Sequence, residues 1–325
     1  MSGGEAVQPG AEGPASLHRR WWRRGRGWRR AAALTAVAFA TSVVAPAVLV
    51  AVPFLVLVGL GGMRGRGTFL LSVLAMVVVV FGARDGLWYV ERAWALVAGG
   101  TFAALSLGVP GWRLTSRALA SIAVSAVAFT ALIAVRADAW ASLDWSVAGE
   151  VQARFQDSID GMLIMRGGEP LDASAASAMV WLTELTVRLF PANVALVTMA
   201  GLGVAWWLWV RLVLGEDNGL APLSRFGFND HLVWLMITGL VLVTGWAGDG
   251  IGRVGANLAA FMAALYALRG FAVGLAVSGG VSFFGYSMLL LGILLAAPVV
   301  LGFAVVLGVA DTWLDLRTRA ASIAG

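Results

Sequence analysis

Residues 270–310 read GFAVGLAVSGGVSFFGYSMLLLGILLAAPVVLGFAVVLGVA, and no Asp, Glu, Lys or Arg interrupts them. A helix needs roughly 20 apolar residues to cross the hydrocarbon core of a bilayer. Working outward, further uncharged runs occupy 31–63, 67–83, 93–112, 118–135, 189–210 and 232–248. Several are long enough alone, and the shorter ones reach that length with interfacial flanks. They are too continuous for the strand alternation of an outer-membrane barrel. The expected fold class is an all-α integral membrane protein.

Composition points the same way. Apolar residues make up 60%, charged residues 13%, and the mean hydropathy is +0.85. Soluble chains carry about a quarter charged residues, so this one cannot cover its surface with polar groups in water. Cysteine is absent, which excludes disulfides and thiolate metal sites. The two histidines, His18 and His231, are too few for a His-based metal or acid–base centre. The net charge of +5 is not a nucleic-acid signal, because seven Arg fall within residues 19–30.

Residues 1–30 form the first expected zone, a disordered basic tail. Arg19, Arg20, Arg23, Arg24, Arg26, Arg29 and Arg30, with Trp21, Trp22 and Trp28 among them, hold the N-terminus in the cytoplasm. Ala45-Pro46-Ala47 offers a signal-peptidase site, yet the apolar run continues to Met63, so an uncleaved anchor is expected. The run 31–63 would measure about 50 Å as one straight helix. With Pro46 and Pro53 inside it, it is either one kinked span or a pair of short segments that go in and come back. Arg64 and Arg66 favour the pair. The run 281–310, around Pro298, poses the same choice. Single passes give eight spans and broken pairs give ten. Both counts are even, so both termini are expected in the cytoplasm of a multi-pass protein of the bacterial inner membrane.

Residues 31–136 form a first bundle and 191–319 a second. Between them, 137–190 is an acidic, partly amphipathic helical insertion. Val151, Phe155, Ile159 and Met162 recur there at helical spacing, and a second helix is expected over about 174–190. It would serve as a lid, as a partner surface, or as a solvated connector packed over the bundle. Trp88, Trp112, Trp206, Trp209, Trp234, Trp246 and Trp313 sit near span ends, as an interfacial belt would. Ala32, Ala36 and Ala40 give a spacing that lets helices approach closely.

Polar groups within membrane helices mark candidate sites. Arg269 lies about ten residues from either end of its span, with Tyr266 one turn away and Asn257 earlier on the helix. It requires an acidic partner, Asp249 or Asp311, or an anionic ligand. Asn257, Tyr266 and Arg269 form the candidate binding set. Asp311 and Asp315, stacked at i,i+4, with Arg317 and Arg319 form a candidate cytoplasmic docking end. Asp230 is placed to cap the helix that follows it. Gly248-Asp-Gly-Ile-Gly252 has no strand before it and no Gly-Lys-Ser/Thr after it, so it is not a nucleotide loop. No nucleophile or metalloprotease motif is present, so neither enzymatic activity nor a cofactor is expected.

The stretch Asn257 to Val273 and the run Gly308-Val-Ala-Asp311-Thr-Trp313-Leu-Asp-Leu-Arg317 resemble the C-terminal signatures of the YybS-like family of bacterial polytopic membrane proteins. Phe226-Gly-Phe-Asn229-Asp230 and Pro191 fit as well. The resemblance covers 31–319, with its motifs concentrated after 225. The chain departs from it at Arg269, where the family tends to have Gln, so no amide role carries over to that position. The resemblance implies a polytopic protein without an established activity. More distantly, that family is similar to the substrate-capture subunits of energy-coupling-factor vitamin transporters and to the rod-shape protein MreD. Two functions follow as expectations. One is a solute-binding transport component dependent on a separate ATPase and coupling subunit. The other is a membrane scaffold recruiting envelope or cytoplasmic partners.

Overall fold

The structure is a computed structural model that describes residues 27–319 apart from 64, 82–83, 85, 136–137, 166–172, 217–218, 247–249 and 279–282. The N-terminal Arg cluster before residue 27 and Asp249 therefore lie outside the described residues. All regular elements among the described residues are helical: α1 (Trp28–Thr41), α2 (Pro46–Gly61), α3 (Gly65–Val80), α4 (Trp88–Gly108), α5 (Leu114–Ala134), α6 (Ala139–Met165), α7 (Ala173–Arg188), α8 (Phe190–Trp209), α9 (Val233–Gly245), α10 (Gly250–Val277) and α11 (Phe283–Leu314). A π-helical turn, Val210–Leu214, extends α8.

Among the described residues, four segments are long and apolar enough to cross a membrane: Leu114–Leu132, Phe190–Leu214, Gly250–Val277 and Ser287–Leu314. Pro46–Gly61, Gly65–Val80 and Asp230–Gly245 are apolar but shorter. The last long segment shows most plainly what solvent it is built for. Leu290, Leu294, Leu295, Val299, Phe303 and Val306 all point outward and exposed. Such a continuous apolar surface is stable against lipid and not against water.

The run 31–63 is two helices. Ser42 breaks it, its Oγ accepting from the Val44 amide and donating to the Val44 carbonyl, and Pro46 then opens α2 where no amide is needed. Both halves lie along α8 in opposite directions. Gly27 sits against Trp207, and Asn193 Nδ2 donates to the Thr41 carbonyl at 2.7 Å, so α1 runs down α8. Leu49 lies on Gly201, and Gly61 on Trp209, so α2 runs back. The there-and-back reading is the one the packing shows. Pro53 stays within α2, in contact with Gly99 of α4. The run 283–314 also breaks, at Ala296 (φ −142°, ψ 42°), two residues before Pro298. Residues 292 and 300 would stand about 12 Å apart along a straight helix. Here a Cβ on Gly292 would lie 3.4 Å from Val300 Cγ2, which requires a sharp bend.

Glycines set the closest helix crossings. A Cβ on Gly239 of α9 would come within 2.7 Å of the Ala259 amide nitrogen of α10. A Cβ on Gly270 of α10 would overlap the Ala304 carbonyl of α11, and one on Gly308 would overlap that of Tyr266. The Ala32, Ala36 and Ala40 spacing, close to chance in a chain this rich in Ala, faces outward, and Ala31 and Ala38 are the buried residues of α1. In so Ala-rich a helix, spacing alone does not choose the face.

The bundle has two chemically different ends. At one, the loop after the π turn gathers neighbours: Arg30 donates to the Leu220 carbonyl, Thr115 to that of Gly227, and Arg317 to that of Phe226. Arg29, Arg30, Arg113, Arg117, Arg211, Arg225, Arg317 and Arg319 belong to this end, against Glu216, Asp230, Asp311 and Asp315. The other end carries α6 and α7, with Glu91, Asp138, Asp144, Glu150 and Glu184 balancing Arg84, Arg92, Arg154, Arg188 and Arg253. The amphipathic face of α6 is packed over the bundle, with Val147 and Val151 buried among Val44, Leu49, Trp94 and Phe190. The side chains of Ile159 and Met162 lie outside the described set.

Candidate functional site

Arg269 sits on the inner face of α10, 6% exposed. Its Nε donates to Asp311 Oδ2 at 2.9 Å, and its Nη1 reaches Asp230 Oδ1 at 2.5 Å. Arg317 Nη2 donates to the same Asp311 oxygen at 2.9 Å. Two cations and two carboxylates therefore close a neutral cluster linking the loop before α9, α10 and the C-terminal turn. Desolvating an ion costs several kcal/mol, and at Asp311 the pairing offsets it through Oδ2 alone, since the buried Oδ1 has no partner among the described residues. Of the two acidic partners named from the sequence, Asp311 is the one observed.

Tyr266, one turn before Arg269, is fully buried, its ring edge-on to Phe228 at 5.1 Å between centroids. The Arg269 guanidinium lies 5.6 Å from the same Phe228 ring. Tyr266 and Arg269 thus share a neighbour. Asn257 does not join them, being twelve residues and about 18 Å from Arg269 along α10. Its Oδ1 accepts from the Ala192 amide, and its Nδ2 donates to the carbonyls of Arg188 and Arg253. It ties the end of α7 to the start of α8.

Two expectations at this end are corrected. Asp230 does not cap a helix. Asn229 takes that role by accepting from the His231 amide at 3.0 Å, which frees Asp230 for Arg269. Asp311 and Asp315 do not share a face, because Asp315 adopts a left-handed backbone (φ 46°) that ends α11 at Leu314. Asp311 is buried, whereas Asp315 is exposed.

Further functional residues escaped the sequence reading. Glu91 accepts from the Ala45 amide at 2.8 Å and so caps the buried start of α2. Arg253 holds Asp144 with two nitrogens and the Val187 carbonyl with one of them. No motif marks either residue, since the partners lie 46 to 109 positions away.

Arg117 is different in kind. It is 6% exposed on the first turn of α5, packed over the Trp206 ring at 4.6 Å. Its Nε has no acceptor, and no carboxylate pairs with it among the described residues. A desolvated cation–π contact contributes about 2 kcal/mol, less than the several kcal/mol that burying the cation costs. Ser106 Oγ on α4 and Trp209 Nε1 on α8 are buried donors that also lack acceptors, each in a residue 5% exposed. Trp209 and Trp206 lie 5.2 Å apart, and Phe102, one turn before Ser106 on α4, meets Trp206 edge-on at 6.1 Å. Trp209 is interior and Trp206 half-buried against it, whereas Trp112, Trp234, Trp246 and Trp313 are exposed as an interfacial belt requires.

Among the described residues no group of three His, Cys, Asp or Glu is placed to hold a metal ion. No family model, curated protein or solved structure matches the chain.

Proposed function

We propose that the chain is a multi-pass protein of the bacterial cytoplasmic membrane, with eight to ten crossings and both termini inside. In this reading it acts as a scaffold and not as an enzyme. The excess of Arg over acids at the end bearing Arg30, Arg225 and Arg317 supports a cytoplasmic placement of that end. The observation that carries the scaffold reading is the Arg269–Asp311–Asp230–Arg317 cluster. It spends the charge of Arg269 on the protein itself and fastens the 219–232 loop to the C-terminal turn. The result is one shaped, Arg-bearing surface, with Leu223, Arg225 and Asp230 exposed on it. Partners of this surface would be cytoplasmic or cell-envelope proteins.

Site-specific photocrosslinking in native membranes tests it. A crosslinker at Leu223 is expected to capture a defined protein that one at Ser177, on α7, does not. Capture at neither position sinks the scaffold. Capture of an ATPase with a membrane coupling subunit replaces it with the transport-component reading that the signatures at 257–273 and 308–317 suggest. In that case Arg269→Ala should abolish solute retention without unfolding the bundle.

A further inference from the structure

We propose that the bundle binds a phosphate group at Arg117, carried by the headgroup of an anionic glycerophospholipid. The inference rests on the membrane reading of α4, α5 and α8 and is independent of any protein partner. Arg117, Ser106 and Trp209 are three hydrogen-bond donors, each more than nine-tenths buried and each with a donor atom lacking an acceptor. The Trp206 ring orients the guanidinium from one side, and Trp206 is also the ring on which Trp209 and Phe102, one turn before Ser106, pack. An Arg117 Nε without an acceptor calls for a ligand oxygen. A buried guanidinium without a carboxylate calls for a negative one.

The helix supports the same sign. α5 runs 21 residues and has no acidic residue in its first turn, so its N-terminal amides and positive dipole end reinforce Arg117. The location selects the source of the phosphate. Arg117 lies where the α4–α5 hairpin turns, close in sequence to exposed Trp112, an interfacial residue. Outward-facing Leu107 on α4 and Val124 and Val127 on α5 continue from this level into the apolar zone. A phosphate tethered to acyl chains arrives there at the required depth, whereas a free phosphate must leave water to reach it.

The test uses the full chain, delipidated in detergent and titrated with phosphatidylglycerol or inorganic phosphate. Native mass spectrometry reads occupancy, and thermal unfolding reads stability. Wild type is expected to bind one phosphatidylglycerol saturably and to unfold at a higher temperature once it is bound. Arg117→Gln should weaken that binding at least tenfold and remove the lipid-induced shift, while Arg113→Gln, at an exposed neighbour, leaves both intact. Without lipid, Arg117→Gln should melt above wild type, because it no longer buries an unpaired cation. A merely structural arginine would give the opposite order. Should the Gln variant fail to fold, Arg117→Lys keeps the charge but loses the planar fork, and it should still bind several-fold more weakly. Inorganic phosphate binding as tightly as the lipid, with the same dependence on Arg117, keeps the phosphate site and overturns the lipid source. Equal lipid binding and equal stabilisation in wild type and a folded Arg117 variant overturn the proposal.

Discussion

Arg253 and Asp144 form a two-point ion pair across 109 residues of sequence, with both nitrogen–oxygen distances at 2.6 Å. The pair joins α6 to α10, and the Val187 carbonyl brings in the end of α7. Because both side chains remain partly exposed, solvent screening discounts their attraction. A double-mutant cycle with Arg253→Ala and Asp144→Ala is expected to give a coupling of about 1–2 kcal/mol. Either change should also speed proteolysis between residues 137 and 190.

The buried cluster around Arg269 should respond more steeply. Arg269→Ala leaves Asp311 in the interior with Arg317 alone, and breaking a buried pair costs about 3–5 kcal/mol. Replacing Arg269 by Met and Asp311 by Leu together removes both charges and should recover most of that loss. Thermal unfolding in detergent, compared across the two variants, checks the order.

Gly270→Ala and Gly308→Ala force a methyl group into a backbone carbonyl of the facing helix. Each should part α10 from α11 and cost about 1–3 kcal/mol, the range for overpacking. Gly274→Ala, where a Cβ meets nothing within 4 Å, is expected to be neutral or slightly stabilising.

Glu91 should behave as a cap. Glu91→Ala strands the Ala45 amide and is expected to cost about 0.5–2 kcal/mol. Glu91→Gln keeps an acceptor oxygen at the same reach and should retain most of the stability, which separates the hydrogen bond from the charge.

Sidedness can be read directly because the chain has no cysteine. Single cysteines at Leu223 and at Gly149 on α6 should react with an impermeant thiol reagent from opposite faces. Reagent added outside cells is expected to label position 149 alone. Labelling of 223 from outside would invert the orientation.

The sequence made the helical membrane character legible because charge-free runs are a one-dimensional property. It also made the breaks near Pro46 and Pro298 legible, since proline disturbs its own neighbourhood. Pairing was legible once, for Arg269 with Asp311, where a deep cation had few acids within reach. It was not legible for Glu91 with Ala45 or Asp144 with Arg253, because nothing local in a helix encodes what packs against it a hundred residues later. Which residues face inward also escaped. The outward face of Ala32, Ala36 and Ala40 and the interior position of Trp209 depend on neighbours, not on spacing. The candidate set Asn257, Tyr266 and Arg269 divided for a simpler reason: one helix carries residues to levels some 18 Å apart.

The placement of α1 and α2 on opposite courses along α8 has a consequence for biosynthesis. Gly61 precedes Phe190 by 129 positions, so the α8 surface that both helices share does not exist when they leave the ribosome, although α2 meets α3 and α4 soon after. At roughly 5–20 residues per second, they wait on the order of ten seconds for α8 to be translated. During that interval α1, of 14 residues and short for a bilayer, lacks its main packing partner. α1 is therefore the element that waits longest for its packing surface, and its Arg30, which donates to the Leu220 carbonyl, waits longer still.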